Sequence, residues 1–342
     1  MKSAPLALVL RVAGVALALP ALAYAQSAGG LDALGGGSVP TLTLTLAPQY
    51  PQPGGQLVVT PQSTLVDLHD AVVTLSQDGA QVYKGNAAPV SLTLPSAGHR
   101  TTITATATIA GASYTASATI FPGAVALVEE PLASAPALYP GKPLVPDGGS
   151  VRVVAIPDLE SAPGSPLSPA ALSYTWKQGD ATLDAVSGIG KQAIVLPAPL
   201  PYRASTLSVA VASQDGAIAA GASLALAAQQ PTLRLYADDP LEGILFDNAL
   251  SGSYAVAGSE AALAAVPYSF AIDQGAPQID WFLNGSPAQQ GSVITLRPTG
   301  AGSGTASLSA SAEPAASDAL GAAAALTISF SAASSGGTLF GL

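Results

Sequence analysis

The feature that most limits the fold is an alternation of apolar and polar residues that returns along the sequence. Successive side chains of a β-strand point to opposite faces, so a period of two is typical of a strand with one buried face. Asp-Gly and Asn-Gly pairs stand between these runs, and they tolerate the positive φ angles of tight hairpin turns. The clearest runs are residues 41–46, 102–109, 114–120, 207–211 and 326–330. The pattern predicts an all-β chain of short strands, as in β-sandwiches.

One alanine-rich stretch has two interpretations. Residues 315–325 favour a helix on propensity alone, since alanine is the best helix former. Gly321 and the alternating run that follows favour a hairpin loop and a last strand instead.

An internal repeat divides the sequence into units. A short strand, two acidic residues and Pro-Leu occur at residues 125–132 and again at residues 233–241, with Pro131 and Pro240 separated by 109 positions (240 − 131). Trp176 and Trp281 occupy similar hairpins, 105 positions apart (281 − 176). Two independent anchors with nearly the same period indicate a tandem duplication.

The repeat predicts three tandem immunoglobulin-like β-sandwich domains, at residues 41–122, 123–229 and 230–331. Trp176 and Trp281 stand where such a domain places a core tryptophan on its third strand, and a tryptophan buries about 200 Å². We therefore predict that both belong to the structural core. In the first domain Leu75 takes this position, so that domain is the diverged copy.

The two ends of the sequence have a different character. Residues 1–25 combine two basic residues, a short apolar run and Ala23-Tyr24-Ala25, which predicts a cleaved signal peptide and an exported protein at the cell surface, in the periplasm or outside the cell. The alternative is an N-terminal anchor helix, but a span needs about 20 apolar residues. Residues 26–40 and 332–342 are rich in Gly and Ser and are predicted to be a flexible linker and a flexible tail. No later segment predicts a transmembrane span in the mature chain.

Composition excludes several classes of function. Only 9% of the residues are charged and the net charge is −10, so nucleic acid is not an expected partner. Cysteine is absent, which excludes a thiolate nucleophile and cysteine-ligated metals. The two histidines, His69 and His99, stand in turn-like segments without a catalytic motif around them. We therefore expect no enzyme, no catalytic residues and no cofactor.

Paired acidic residues form the one candidate metal constellation. Glu129-Glu130 and Asp238-Asp239 end the first strands of the second and third predicted domains, and calcium prefers carboxylate and carbonyl oxygens. Consecutive strand residues point to opposite faces, however, so the alternative is a pair of solvated turn residues before proline.

Two other features are candidates for partner binding. Single tyrosines near proline-rich loops are candidates for stacking on sugars, and they comprise Tyr50, Tyr139, Tyr202, Tyr236 and Tyr268. The tail carries Leu339 and Phe340, which either add to the sheet edge of a partner or belong to a disordered end.

The order of these motifs resembles a known group of proteins. The motifs are Pro53-Gly54-Gly55, Tyr-Thr-Trp at residues 174–176, the acidic segment at residues 238–246, Trp-Phe-Leu-Asn-Gly at residues 281–285 and Thr-Leu-Arg-Pro at residues 295–298. Over residues 41–331 they resemble uncharacterised secreted three-domain proteins with Ig-like and PKD-like modules from ultra-small candidate-phylum bacteria. Leu75 departs from the hairpin tryptophan often found in the first domain of that family. The resemblance implies the fold and an extracytoplasmic location, and it implies no chemistry.

The expected function is a structural or adhesive one. The sandwiches would present their surfaces or edges to an envelope or extracellular protein partner. The alternative is a carbohydrate- or cell-wall-binding module.

Overall fold

The computed structural model describes residues 42–330, apart from residues 65, 138, 257, 299–302 and 316–318. The predicted signal peptide, linker and tail therefore lie outside the described residues, as do Leu339 and Phe340. The described residues form β-strands with two short 3₁₀ turns, at Pro169–Ala171 and Asp184–Val186, and contain no α-helix. The all-β fold class and the tandem arrangement of immunoglobulin-like sandwiches are confirmed. None of the described helical turns is long or apolar enough to cross a membrane.

The first sandwich contains a three-stranded sheet in the order β1-β2-β5 and a four-stranded sheet in the order β4-β3-β6-β7. Between them lies a core that includes Leu57, Leu75 and Ile103. Leu75, in the position of the missing tryptophan, has no exposed surface. The strands are β1 Leu42–Ala47, β2 Gln56–Ser63, β3 Val72–Gln77, β4 Ala80–Gly85, β5 Val90–Thr93, β6 Thr101–Ile109 and β7 Ala112–Ile120.

The second sandwich repeats this plan. One sheet has the order β15-β9-β8 and the other β13-β12-β16-β17, with β14 also paired to β12 and a small β10-β11 hairpin outside both sheets. Trp176 lies on β12, fully buried among Val153, Tyr174 and Val209. The strands are β8 Ala124–Pro131, β9 Ser150–Asp158, β10 Glu160–Ala162, β11 Ser165–Pro166, β12 Ser173–Gln178, β13 Ala181–Thr182, β14 Gly188–Ile189, β15 Ala193–Pro197, β16 Ala204–Ala212 and β17 Ala219–Ala227.

The third sandwich adds two strands to the plan. Its sheets have the orders β19-β18-β21-β24 and β20-β26-β25-β22-β23, in which β20 pairs with β26 in parallel. Trp281 on β22 is fully buried in the core. The strands are β18 Thr232–Asp239, β19 Gly243–Ile244, β20 Gly252–Val256, β21 Ala261–Tyr268, β22 Gln278–Leu283, β23 Ser286–Gln290, β24 Val293–Leu296, β25 Gly304–Glu313 and β26 Ala322–Phe330.

Local sequence explains the hairpins. Asp78-Gly79 and Asn284-Gly285 have positive φ at both residues, with Asp78 at 51° and Asn284 at 49°, as the predicted tight turns require. Their side chains also accept backbone hydrogen bonds from the next strand pair: Asp78 from Thr102 N (2.7 Å) and Asn284 from Ser307 N (2.9 Å). The alanine-rich stretch ends in the strand β26, so the hairpin interpretation is confirmed over its described residues.

The second and third sandwiches belong to one compact unit, which runs from Phe121 and includes Ser96–His99, while the first sandwich forms the other. Within the larger unit, the loop between β8 and β9 contacts the end of β21. Ser134 is the centre of this junction. Its backbone N donates to Phe270 O (2.8 Å), and its backbone O accepts from Ser269 N (2.8 Å). Its Oγ donates to Pro267 O (3.1 Å) and accepts from Phe270 N (3.0 Å).

Candidate functional site

Aromatic side chains from both sandwiches meet beside this junction. Tyr236 on β18 and Tyr268 on β21 join through their hydroxyl groups at 2.9 Å. Tyr139, from the loop between β8 and β9, meets the Tyr268 ring edge-on with ring centroids 5.6 Å apart. Phe246, which follows β19, lies 5.3 Å from the Tyr236 ring. We call these four residues the aromatic cluster.

Strand register explains why the cluster forms. Tyr236 pairs with Ala264 and Thr232 with Tyr268, so Tyr236 and Tyr268 stand on the same outer face of this sheet, four residues apart in register. Arg234, between them on β18, places its guanidinium 6.0 Å from the centre of the Tyr268 ring, within the range of a cation–π contact. Small residues such as Ala264 leave room for the rings on this face.

The cluster combines a buried centre with exposed ends. Tyr236 is 4% exposed, whereas Tyr139 is 43% and Phe246 is 46% exposed. The two outer rings therefore present apolar surface to solvent, and the inner hydroxyl groups are held by each other. Such an arrangement can contact a protein side chain or the face of a sugar ring.

Burial raises the pKa of Tyr268, and the hydrogen bond with Tyr236 raises it further. A tyrosine whose pKa is raised in the folded state stays neutral while the unfolded chain ionises above the ordinary value of 10.0. The unfolded state then binds fewer protons, so the stability falls as the pH rises through and above that value.

We expect the melting temperature of the third sandwich to fall less steeply between about pH 9 and 11 in Tyr268→Phe than in the parent protein. Tyr202→Phe is the matched control, since Tyr202 is 89% exposed. Calorimetry across this pH range measures the effect. Parallel curves for the parent and Tyr268→Phe would contradict it.

The other predicted tyrosines are not part of the cluster. Burial raises the pKa of Tyr50. Tyr202 is on the surface, where its hydroxyl accepts a hydrogen bond from Gln230 Nε2 (2.8 Å). The sequence pointed to Tyr139, Tyr236 and Tyr268 as separate residues, and it did not point to Phe246 or Arg234. The alternation along β18 was the available signal for Arg234, because it places residues 234 and 236 on one face.

The acidic pairs lie on two separate strands. Glu129 accepts from Lys142 Nζ (2.7 Å), and Glu130 forms an ion pair with Arg152. Asp239 accepts from the backbone N of Leu241 (2.8 Å) and of Glu242 (3.1 Å), which fixes the turn after β18. Asp238 pairs in register with Ile244.

The structure therefore places Glu129 and Glu130 on opposite faces of β8, where each contacts a basic residue. In the part of the chain that the structure describes, no three His, Cys, Asp or Glu side chains form a group that could hold a metal. Calcium binding by Glu129, Glu130, Asp238 and Asp239 stays a prediction.

The two histidines lie in local turns. The backbone N of His69 donates to the Asp67 carboxylate (2.9 Å), and His99 Nδ1 lies 3.1 Å from Ser96 Oγ.

Asp215 has a lowered pKa because Ser213 Oγ donates a hydrogen bond to its carboxylate and the backbone N of Ala217 donates a second one. These are the contacts of solvated turns.

Comparisons with known proteins concern the fold. No protein-family model matches the sequence, and no curated protein matches it. Among solved structures, the three N-terminal domains of the highly immunogenic outer capsid protein of bacteriophage RB49 align with 86% of this chain and 99% of that chain, at 14% identity and a TM-score of 0.25.

Two further solved structures are arrays of sandwich domains. The central fibronectin-III array of RIM-binding protein aligns with 86% of this chain and 99% of that chain, at 12% identity and a TM-score of 0.30. Immunoglobulin domains 1–5 of Sidekick-1 align with 85% of this chain at 11% identity and a TM-score of 0.29, and the alignment spans 59% of that chain. The chain is similar to these proteins in being a tandem array of immunoglobulin-like or fibronectin-III-like sandwiches.

Proposed function

We propose that this chain is an exported, non-enzymatic structural or adhesive protein, whose aromatic cluster binds an envelope or extracellular protein partner. The observation that carries the proposal is the arrangement of the cluster, with two half-exposed rings around a hydrogen-bonded tyrosine pair in which Tyr236 is buried and Tyr268 partly buried. Tyrosine and arginine are enriched among the residues that dominate protein interfaces, and rings held in place lose little conformational entropy on binding. Arg234 adds a cation on the same face.

The junction supports this role. Tyr139 and Tyr268 come from different sandwiches, so the spacing of their rings depends on the junction, to which Ser134 contributes four hydrogen bonds. A preorganised surface binds more tightly than one that must order itself first. Export rests on the predicted signal peptide of residues 1–25.

A carbohydrate-binding role is the second candidate. Tyr139 and Phe246 expose parts of their rings at the two ends of the cluster, and aromatic faces stack on sugars. Saturable binding of a glycan from an array, lost in Tyr139→Ala, would favour this function over protein binding.

For the leading function, we expect Tyr139→Ala and Phe246→Ala each to weaken recovery of a specific cell-envelope protein by about tenfold or more. Tyr202→Ala removes an exposed tyrosine outside the cluster and is the matched control. The immobilised full-length protein is incubated with solubilised envelope, and bound proteins are quantified by mass spectrometry. Equal recovery by all variants would reject the cluster as the binding surface.

A further inference from the structure

Among the residues that the structure describes, none covers one surface of the second sandwich, whereas the counterpart of this surface in the third sandwich is covered. Strand register makes the two surfaces equivalent, since Val128 pairs with Val154 and Val154 with Ala193, as Tyr236 pairs with Ala264 and Ala264 with Val293. Both rows lie on the outer face of their sheet, away from the core. We call the outer face of β8, β9 and β15 the bare face; its apolar members are Ala126, Val128, Val154, Ile156, Ala193 and Val195.

Exposure separates the two surfaces. Val128 is 39%, Ile156 is 51% and Val195 is 54% exposed. In the third sandwich, Tyr236, Ala264 and Val266 are each at most 7% exposed and form a small hydrophobic cluster of their own. An exposed apolar patch on a sheet is unusual in a protein that is alone in solution.

A short segment makes this difference. After β18 the chain turns back as Gly243-Ile244-Leu245-Phe246, in which β19 pairs with β18 and Leu245 N donates to Ala237 O (2.9 Å). Ile244 packs in the small hydrophobic cluster, and Phe246 lies beside Tyr236. The segment thus pairs with the edge of β18 and covers the outer face of the sheet. In the second sandwich β8 pairs, among the described strands, with β9 alone.

The same motif occurs once more, at residues 337–340. They read Gly-Thr-Leu-Phe, against Gly-Ile-Leu-Phe at residues 243–246. A segment of this composition matches both parts of the open site, since its backbone can pair with the edge of β8 and its phenylalanine can cover Val128 and Ile156. We propose that residues 337–340 of one copy of this chain bind the edge of β8 and the bare face of another copy.

The length of residues 331–340 indicates that the segment binds another copy and not its own chain. The turn before β26 lies at the junction, where Gly148 approaches Ala319 so closely that a Cβ on Gly148 would come within 2.9 Å of it. The nine residues of β26 then lead away from the junction, over roughly 26 Å from Ala322 to Phe330.

Val128 lies beyond the junction on the other side, about 10 Å from the end of β8. The strands alone make the path back from Phe330 roughly 36 Å, and the width of the junction adds to this distance, while residues 331–340 span at most about 36 Å when fully extended. The segment of the same chain therefore falls short. Donor and acceptor on different parts of the chain make a head-to-tail contact, which generates rings or open chains of molecules.

The inference goes beyond the proposed function, because it concerns copies of this chain and residues outside the aromatic cluster. Sedimentation velocity of the full-length protein should show association that grows with concentration. A fluorescent peptide of residues 331–342 should bind the full-length protein saturably. Phe340→Ser in the protein should abolish association, and the same change in the peptide should weaken its binding about tenfold or more.

Ile156→Lys tests the acceptor. It should weaken peptide binding by the same factor, while Val82→Lys, at a valine 43% exposed in the first sandwich, should leave it unchanged. Thermal melting shows that the variants are folded. A protein that stays monomeric at every concentration, or association and peptide binding that persist in Ile156→Lys, would overturn the proposal. Recovery of an envelope partner is expected to survive Ile156→Lys, which separates this inference from the proposed function.

Discussion

Trp176→Ala is expected to lower the free energy of unfolding by about 3–5 kcal/mol, the usual cost of removing a buried tryptophan from a core. Trp176 has no exposed surface and lies among the largest side chains of the second core. Its Nε1 also donates to Lys191 O (2.9 Å), so the substitution leaves a carbonyl without its donor as well as a cavity. The chain has no disulfide to offset the loss, since it has no cysteine.

Denaturant unfolding followed by circular dichroism measures this effect. Trp281→Ala should give a loss of similar size, because Trp281 is equally buried and donates to Gly291 O (2.8 Å). Trp176→Phe keeps most of the apolar contact and should cost less. Tyr202→Ala, at an exposed site, should change stability by less than about 0.5 kcal/mol. A loss below about 1 kcal/mol for Trp176→Ala would mean that the site collapses around the cavity.

Ser134→Ala is expected to destabilise the junction by about 1–3 kcal/mol and to separate the unfolding of the second and third sandwiches. The substitution removes the hydroxyl that bonds to Pro267 O, at the end of β21, and to Phe270 N, two residues beyond it. Phe270 is 1% exposed, so its amide gains little compensation from water. The backbone bonds of residue 134 remain, which is why the effect stays moderate.

The two tryptophans report on this separation. Trp281→Phe leaves a reporter in the second sandwich, and Trp176→Phe leaves one in the third. In these backgrounds the two fluorescence transitions should coincide, and adding Ser134→Ala should move them apart. Ser286→Ala, at an exposed serine on β23, is the control. Coincident transitions in the Ser134→Ala backgrounds would show that the Ser134 hydroxyl is not needed to couple the two sandwiches.

Much of the fold could be predicted because its determinants are local. Alternation shows which residues face a core, and Asp78-Gly79 and Asn284-Gly285 mark hairpins whose conformation depends on the two residues themselves. The strand β20 was harder to predict, since its pairing with β26 joins residues about 74 positions apart in a parallel register. The hydrogen bonds of Ser134 were equally distant, with partners more than 130 residues away.

The candidate site was predictable only in part for the same reason. Tyr236 and Tyr268 were recognised as tyrosines near proline-rich loops, but their hydroxyl contact depends on the register of β18 and β21. Tyr139 joins them through a loop from another sandwich, which no local pattern shows. The acidic pairs illustrate the converse, because their repetition was visible while their basic partners, Lys142 and Arg152, were not.

The Ser134 junction also has a consequence for how such a chain can be inherited and rearranged. A gene fragment that encoded the second sandwich alone, ending near Gln229, would leave Ala133 and the Ser134 hydroxyl facing water instead of Ala271 and β21. Recombination between β17 and β18 would therefore separate residues that contact each other. The unit that can be exchanged intact is the pair of sandwiches, although the unit that repeats in the sequence is one sandwich.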